Sequence, residues 1–370
     1  MHDVREFSTV EQMLLSNARK KHIPANGSIE LLPLCNMNCD MCYVRLSREE
    51  MERQGRLRTA EEWLEIGRQM QKAGVLFLLL TGGEPLLYPG FKELYLGLKQ
   101  LGFILSINTN GTLIDEEWAD FFAAHKPRRI NITLYGVNET TYANLCHYPG
   151  GFEKVTRAIR LLRERKIDVK IGGSLAKSNR EDLLPLLSLG KELDAPVRVD
   201  TYMMPAARER TQPFAMQSRL DPEQAAAARV EALREEMGPE LWPQYVQQSV
   251  QRARQAPEGP AEPGRMTCMA GSCSFTINWQ GEMRPCVILS SPSVPVFSLG
   301  FSAAWEKIVQ ECDTIRLNPQ CSVCSLRHLC RTCAASALLE EGRYDAVPRY
   351  MCRYAAETLR LLQQEDLENG

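Results

Sequence analysis

The stretch Cys35-Asn36-Met37-Asn38-Cys39-Asp40-Met41-Cys42 presents three thiols within eight residues, and no fourth Cys or His stands beside them. A structural zinc site would want that fourth ligand. A 4Fe–4S cubane held by three cysteines leaves one iron open, as catalytic metal sites in general keep a position free for substrate. The apolar run 28–34 leads straight into this loop, so the three cysteines follow a first strand.

Outward from that loop, residues 28–203 alternate short apolar runs with helical patterns, which points to βα units and a parallel sheet. Strands are expected at 28–34, 75–80, 103–108, 130–134, 169–175 and 197–202. Between the first two, Thr59 and Glu62 form a capping box, Trp63, Ile66, Gly67 and Met70 share an inner face, and Gly74 ends the helix. Barrels of βα units place their chemistry at the C-terminal strand ends. Gly82-Gly83-Glu84-Pro85, Asn108-Thr109-Asn110-Gly111, Thr133 and Ser174 all fall there.

The cysteine triad, spaced by three and then two residues, together with Gly82-Gly83-Glu84-Pro85 after the second strand, resembles the radical SAM superfamily. The resemblance implies an α/β fold with a partial (β/α)6 TIM-like barrel. It also implies that S-adenosylmethionine (SAM) chelates the open iron of a cluster on Cys35, Cys39 and Cys42. Reductive cleavage then yields methionine and a 5'-deoxyadenosyl radical that abstracts hydrogen from carbon, with flavodoxin or ferredoxin as electron donor. Gly82, Gly83, Glu84 and Pro85 would meet the SAM amino group, and Asn108, Asn110, Thr133 and Ser174 its ribose or carboxylate. Met41 stands where the family usually has an aromatic residue, with Tyr43 following.

Past the barrel, Asp221-Pro222-Glu223-Gln224 opens a helix with its body at 225–237, and Pro257, Gly259, Pro260, Pro263 and Gly264 mark a linker. Nine cysteines follow. A hairpin over 275–284, turning at Gln280-Gly281, would return Cys286 beside Cys268 and Cys273. Cys321-x2-Cys324-x5-Cys330-x2-Cys333 with Cys352, and Gly281 five positions before Cys286, resemble the SPASM domain of radical SAM enzymes that modify peptides and proteins. That resemblance implies one auxiliary cluster on Cys268, Cys273, Cys286 and Cys333 and a second on Cys321, Cys324, Cys330 and Cys352. With the triad this makes three 4Fe–4S clusters. Structural zinc is the alternative for the Cys-x2-Cys pairs.

The expected divisions are an N-terminal extension (1–27), the barrel (28–203), a helical linker region (204–264), and the small Cys-rich SPASM domain with a C-terminal helix (265–370). Cys146 and Cys312 remain. Cys146 is a candidate hydrogen donor to a substrate radical or a small buried residue, and Cys312 reads as packing. Asp200 and Tyr202 are candidate proton acceptors, and Ala207-Arg208-Glu209-Arg210 reads as a solvated loop.

With 44 basic and 46 acidic side chains and a formal charge of -2, bulk electrostatics offer nothing to nucleic acid. The sequence shows no signal peptide and no apolar run near the roughly 20 residues that span a bilayer, so a cytoplasmic protein without membrane contact is expected. Thirteen cysteines there favour metal ligation over disulfides. The expected function is maturation of a ribosomally made peptide or small protein, ending in a C–C or thioether crosslink. Epimerisation, formylglycine formation of the anaerobic sulfatase-maturating kind, and tetrapyrrole or small-molecule modification are the alternatives. Val287 stands where the sulfatase-maturating branch has an Asp base. Only 34 residues precede Cys35, so a separate leader-peptide-binding protein is expected to deliver the substrate.

Overall fold

Capping chemistry fixes where the helices begin. In the computed structural model, which describes residues 7–204, 218–255 and 263–369, Thr59 and Glu62 cap each other's backbone and helix Ala60–Lys72 starts there. It buries Trp63, Ile66, Gly67 and Met70, and Gly74 turns the chain away at φ +92°. The same reciprocal cap at Ser8 and Glu11 starts helix Thr9–Lys20, within the stretch expected only as an extension.

The six expected strands form as β1 (Asn26–Glu30), β2 (Phe77–Thr81), β3 (Ile104–Thr109), β4 (Arg129–Thr133), β5 (Val169–Ser174) and β6 (Val197–Asp200). Each pairs in parallel with the next, which gives the partial barrel. Residues 31–34, expected as the end of the first strand, instead bend away after Leu31 N–H donates to Thr81 O at 2.9 Å.

The sheet does not stop at β1. β7 (Ser274–Ile277) pairs with it in parallel, Asn26 opposite Ser274, and β8 (Glu282–Arg284) and β9 (Val294–Pro295) continue antiparallel. The expected hairpin is present, turning through Gly281 at φ +91°. The Cys-rich region therefore extends the barrel sheet, with the order β6-β5-β4-β3-β2-β1-β7-β8-β9. At the seam Ser28 Oγ lies 2.8 Å from Thr276 Oγ1. The Phe275 ring fills the space over Gly27, where a Cβ would stand 2.3 Å from it. Phe301 and Trp305 pack edge-on against that ring, and the Trp305 indole donates to His22 O at 2.7 Å.

Asp221 and Gln224 cap the next helix as expected, but it runs on to Ala253. A kink at Gly238 (φ +70°) re-aims the chain, and Pro239, which lacks an N–H to lose, begins the second segment. This helix packs on helix Arg349–Asn369 through Val230, Leu233, Trp242, Val246, Ala355 and Leu362. The Ala207-Arg208-Glu209-Arg210 loop and the linker residues Pro257, Gly259 and Pro260 lie outside the described residues. No described helix is long and apolar enough to cross a membrane.

Because one ring closes the seam between barrel and Cys-rich region, Phe275→Ala is expected to cost about 3–5 kcal/mol. Anaerobic urea unfolding measures it, and a loss under about 1 kcal/mol would show that the seam does not depend on this residue.

Candidate active site

The cysteine loop is positioned by the turn that follows β2. Gly83 N–H donates to Leu32 O at 2.7 Å and Glu84 N–H to Leu34 O at 2.9 Å, so this turn runs against the chain leaving β1. A Cβ on Gly83 would stand 2.2 Å from Leu34 O, and one on Gly82 2.5 Å from Leu32 O. Gly82 also holds φ +141°. Both glycines are thus required by backbone contact alone.

Glu84 ties this turn to the end of β3. Its carboxylate, fully buried, accepts from Leu86 N at 3.0 Å, Thr109 Oγ1 at 2.8 Å and Asn110 N at 2.7 Å. Burial pushes its pKa up to about 7 against the pull of those three donors. The side chain of Asn110 then reaches back, Nδ2 lying 2.8 Å from Asn36 Oδ1 and 3.6 Å from Cys35 Sγ. Its Oδ1 accepts from Thr112, whose hydroxyl also accepts from Asn36 Nδ2.

Backbone N–H groups of Met37 and Arg45 point at Cys35 Sγ and Cys42 Sγ, at 3.4 and 3.3 Å. Burial, with Glu84 and the other two thiols adding, pushes the Cys35 thiol up to about 12. Three thiols with backbone N–H groups aimed at two of them form a donor set that suits a metal cluster.

Cys35, Cys39 and Cys42 line a cavity of about 370 Å³ together with Gly82, Gly83, Asn108, Asn110, Thr133 and Ser174. Glu84 and Pro85 stand behind that wall. Met41 and Tyr43 offer apolar surface, and Asp200 and Tyr202 close the far side. Cys146 is fully buried against Cys39 and does not line the cavity. The carbonyls of Leu145 and Cys146 accept from Asp40 N and Asn38 N, so this segment supports the loop from beneath.

Sequence reasoning missed Thr109, Asn36, Thr112, Met203, Met204 and Ile288. Asn36 and Thr109 sit inside motifs already read and Thr112 directly follows one, and hydrogen-bonding capacity there was the available signal. Ile288 comes from beyond the hairpin, two residues past Cys286, and no local pattern announces it.

Farther on, Cys321, Cys324, Cys330 and Cys352 line a second cavity of about 290 Å³. Cys333 starts helix Ala334–Glu341, whose Ser336 N–H points at its sulfur. Among the described residues no three of His, Cys, Asp and Glu converge closely enough to hold a single metal ion.

Residues 29–189 match the radical SAM superfamily. The chain carries a radical SAM domain. SAM and a 4Fe–4S cluster are the cofactors this domain implies, and the triad with its glycine cradle fits them. The chain is 25% identical over 326 residues to the AdoMet-dependent heme synthase of Methanosarcina barkeri, covering 85% of this chain and 92% of that protein. It is 25% identical over 169 residues to the sporulation killing factor maturation protein SkfB of Bacillus subtilis, covering 46% and 40% respectively, so less than half of SkfB is matched. The fold resembles that of Streptococcus suis SuiB, solved with S-adenosylmethionine, at a TM-score of 0.68 and 18% identity over 93% of this chain and 83% of SuiB. SuiB has also been solved with its precursor peptide SuiA.

Two outcomes follow for the radical SAM domain. Gly83→Ala should weaken SAM binding by at least about tenfold, roughly 1.4 kcal/mol, in anaerobic calorimetry, and unchanged affinity would contradict the cradle. Asn110→Ala should retain iron but make the triad cluster harder to reduce, because an N–H···S bond favours the more negative state. A redox titration followed by EPR would show the potential falling; a rise or no change would remove Asn110 from this role.

Proposed function

We propose that this enzyme is a peptide maturase that installs a crosslink in a ribosomally made peptide. Cys35, Cys39 and Cys42 would hold a cluster that, when bound, would supply the electron for reductive cleavage of SAM. Asn108, Asn110, Thr133 and Ser174 orient the cosubstrate's polar groups, and Met41 and Tyr43 shield its apolar part from water. A crosslink is a net two-electron oxidation, so the second electron needs a sink and the second proton a base. Asp200 is the acceptor on the cavity wall. Cysteines 268, 286 and 333 with a fourth thiol, and 321, 324, 330 and 352, are the ligands that would hold the two auxiliary clusters of a cytoplasmic enzyme.

The observation that carries this reading is the shared wall: Ile288 faces the cavity while Cys286, two residues earlier, belongs to the Cys-rich region. Its backbone N–H points at the Cys286 sulfur at 3.3 Å. Epimerisation would call for a hydrogen donor facing the substrate, and Cys146 does not face it. Val287 likewise leaves formylglycine formation without the base of the sulfatase-maturating branch. A separate leader-binding protein and a flavodoxin- or ferredoxin-type donor complete the proposal.

Tetrapyrrole modification is the second reading, favoured by the near full-length match to the heme synthase. Porphyrins carry several carboxylates, which call for cationic partners. Among the described lining residues none is Lys, Arg or His, and the lining Asp200 is ion-paired to Arg198 at 3.4 Å and Arg331 at 3.7 Å. The peptide reading rests on the likeness to SkfB and on the shared fold of SuiB, which has been solved with a precursor peptide.

The test is anaerobic incubation with SAM, reductant and either precursor peptides encoded beside the gene or carboxylated porphyrins. The expected result is 5'-deoxyadenosine formed with a peptide that has lost two hydrogens. Turnover of porphyrin alone would replace this proposal with the second reading.

A further inference from the structure

Resting on the reading that the C-terminal region holds two auxiliary clusters, we propose that Cys312 is the fourth ligand of the first cluster, beside Cys268, Cys286 and Cys333, and that Cys273 is not a ligand. Cys312 ends helix Phe301–Cys312 and is only 6% exposed. Three chain segments meet at its sulfur. A Cβ on Gly271 would stand 2.3 Å from Cys312 Sγ and 3.6 Å from Pro285 Cβ, and Pro285 immediately precedes Cys286. Gly271 holds φ +65° and donates to Ser274 O at 3.0 Å, so the 268–273 loop curls over the Cys312 sulfur. Any larger residue at 271 would push that sulfur away.

Cys312 and Cys268 also line one cavity of about 320 Å³. Arg19, Lys20 and Arg265 border it, and Asp313 is ion-paired to Arg265 at 3.2 Å. A cubane on four thiolates is an anion, and this cationic border suits it. The charge environment repeats the grouping: Cys268 and Cys286 act on the buried Cys312 thiol, and Cys333 and Cys268 act on Cys286.

Cys273 faces elsewhere. Its side chain is fully buried in a separate apolar cluster with Phe7, Leu15, Ala18, Ala25 and Phe77, at the foot of the barrel. Its carbonyl accepts from Asn26 N at 3.1 Å and its N–H donates to Met269 O at 3.0 Å, which commits its backbone to the β1–β7 seam. Of the other thiols, Cys268 alone acts on it. Releasing Cys273 to the cluster would open that apolar pocket.

Iron analysis after anaerobic reconstitution separates the two cysteines. The unaltered enzyme should hold about twelve irons, Cys312→Ala about eight with one EPR-active cluster lost, and Cys273→Val about twelve because valine fills the same apolar space. Cys312→Ser, which keeps a weak oxygen ligand, should retain the cluster with altered g-values. Circular dichroism of each variant guards against unfolding. Loss of four irons from a folded Cys273→Val, or twelve irons in Cys312→Ala, would overturn the assignment while leaving the two-cluster reading intact. About eight irons in the unaltered enzyme would sink the two-cluster reading, and this assignment with it.

Discussion

The site depends on one close backbone contact, the passage of Gly82-Gly83-Glu84 alongside Leu32-Pro33-Leu34. Two N–H···O bonds join these segments, and the missing side chains at 82 and 83 let them form. The contact converts a strand end into a fixed platform for Cys35. Glu84 carries the same constraint sideways to β3, where Asn110 returns a donor to the Cys35 sulfur. A chain of short contacts thus links β1, β2 and β3 at the rim, and moving any one of them moves a thiol.

The Cys-rich region is joined to the barrel by the same kind of contact. β7 lies against β1 because Gly27 leaves room for the Phe275 ring, and the chain past the hairpin then brings Ile288, two residues after Cys286, to the cavity wall. Electron acceptors placed there would sit beside the reacting substrate. The lining Tyr202 donates to Glu340 of the Cys-rich region at 3.2 Å, a second tie between the cavity and that region.

Much of this is legible in the sequence. Thr59 with Glu62, Gly74, and the alternation of apolar runs place the βα units to within a few residues, because caps and periodicity are local properties. The cavity-lining triad, Gly82, Gly83, Asn108, Asn110, Thr133 and Ser174 were legible for the same reason, since each lies at or beyond the C-terminal end of a barrel strand. The role of Glu84 was not: whether its carboxylate faces a ligand or its own backbone depends on the turn's three-dimensional course. The β1–β7 pairing joins residues far apart in the chain and leaves no local trace. Helix Pro222–Ala253 outran its expected end because a kink, rather than a stop, absorbs Gly238-Pro239.

The central claim is that one iron of the triad cluster is open and takes SAM through its amino and carboxylate groups. Pulsed ENDOR on the reduced enzyme with SAM labelled by nitrogen-15 at the amino group and oxygen-17 at the carboxylate tests it most directly. The account predicts hyperfine coupling from both labels, lost when Cys35 is replaced by alanine. A cluster that shows neither coupling, with all four irons already held by protein side chains, would contradict it.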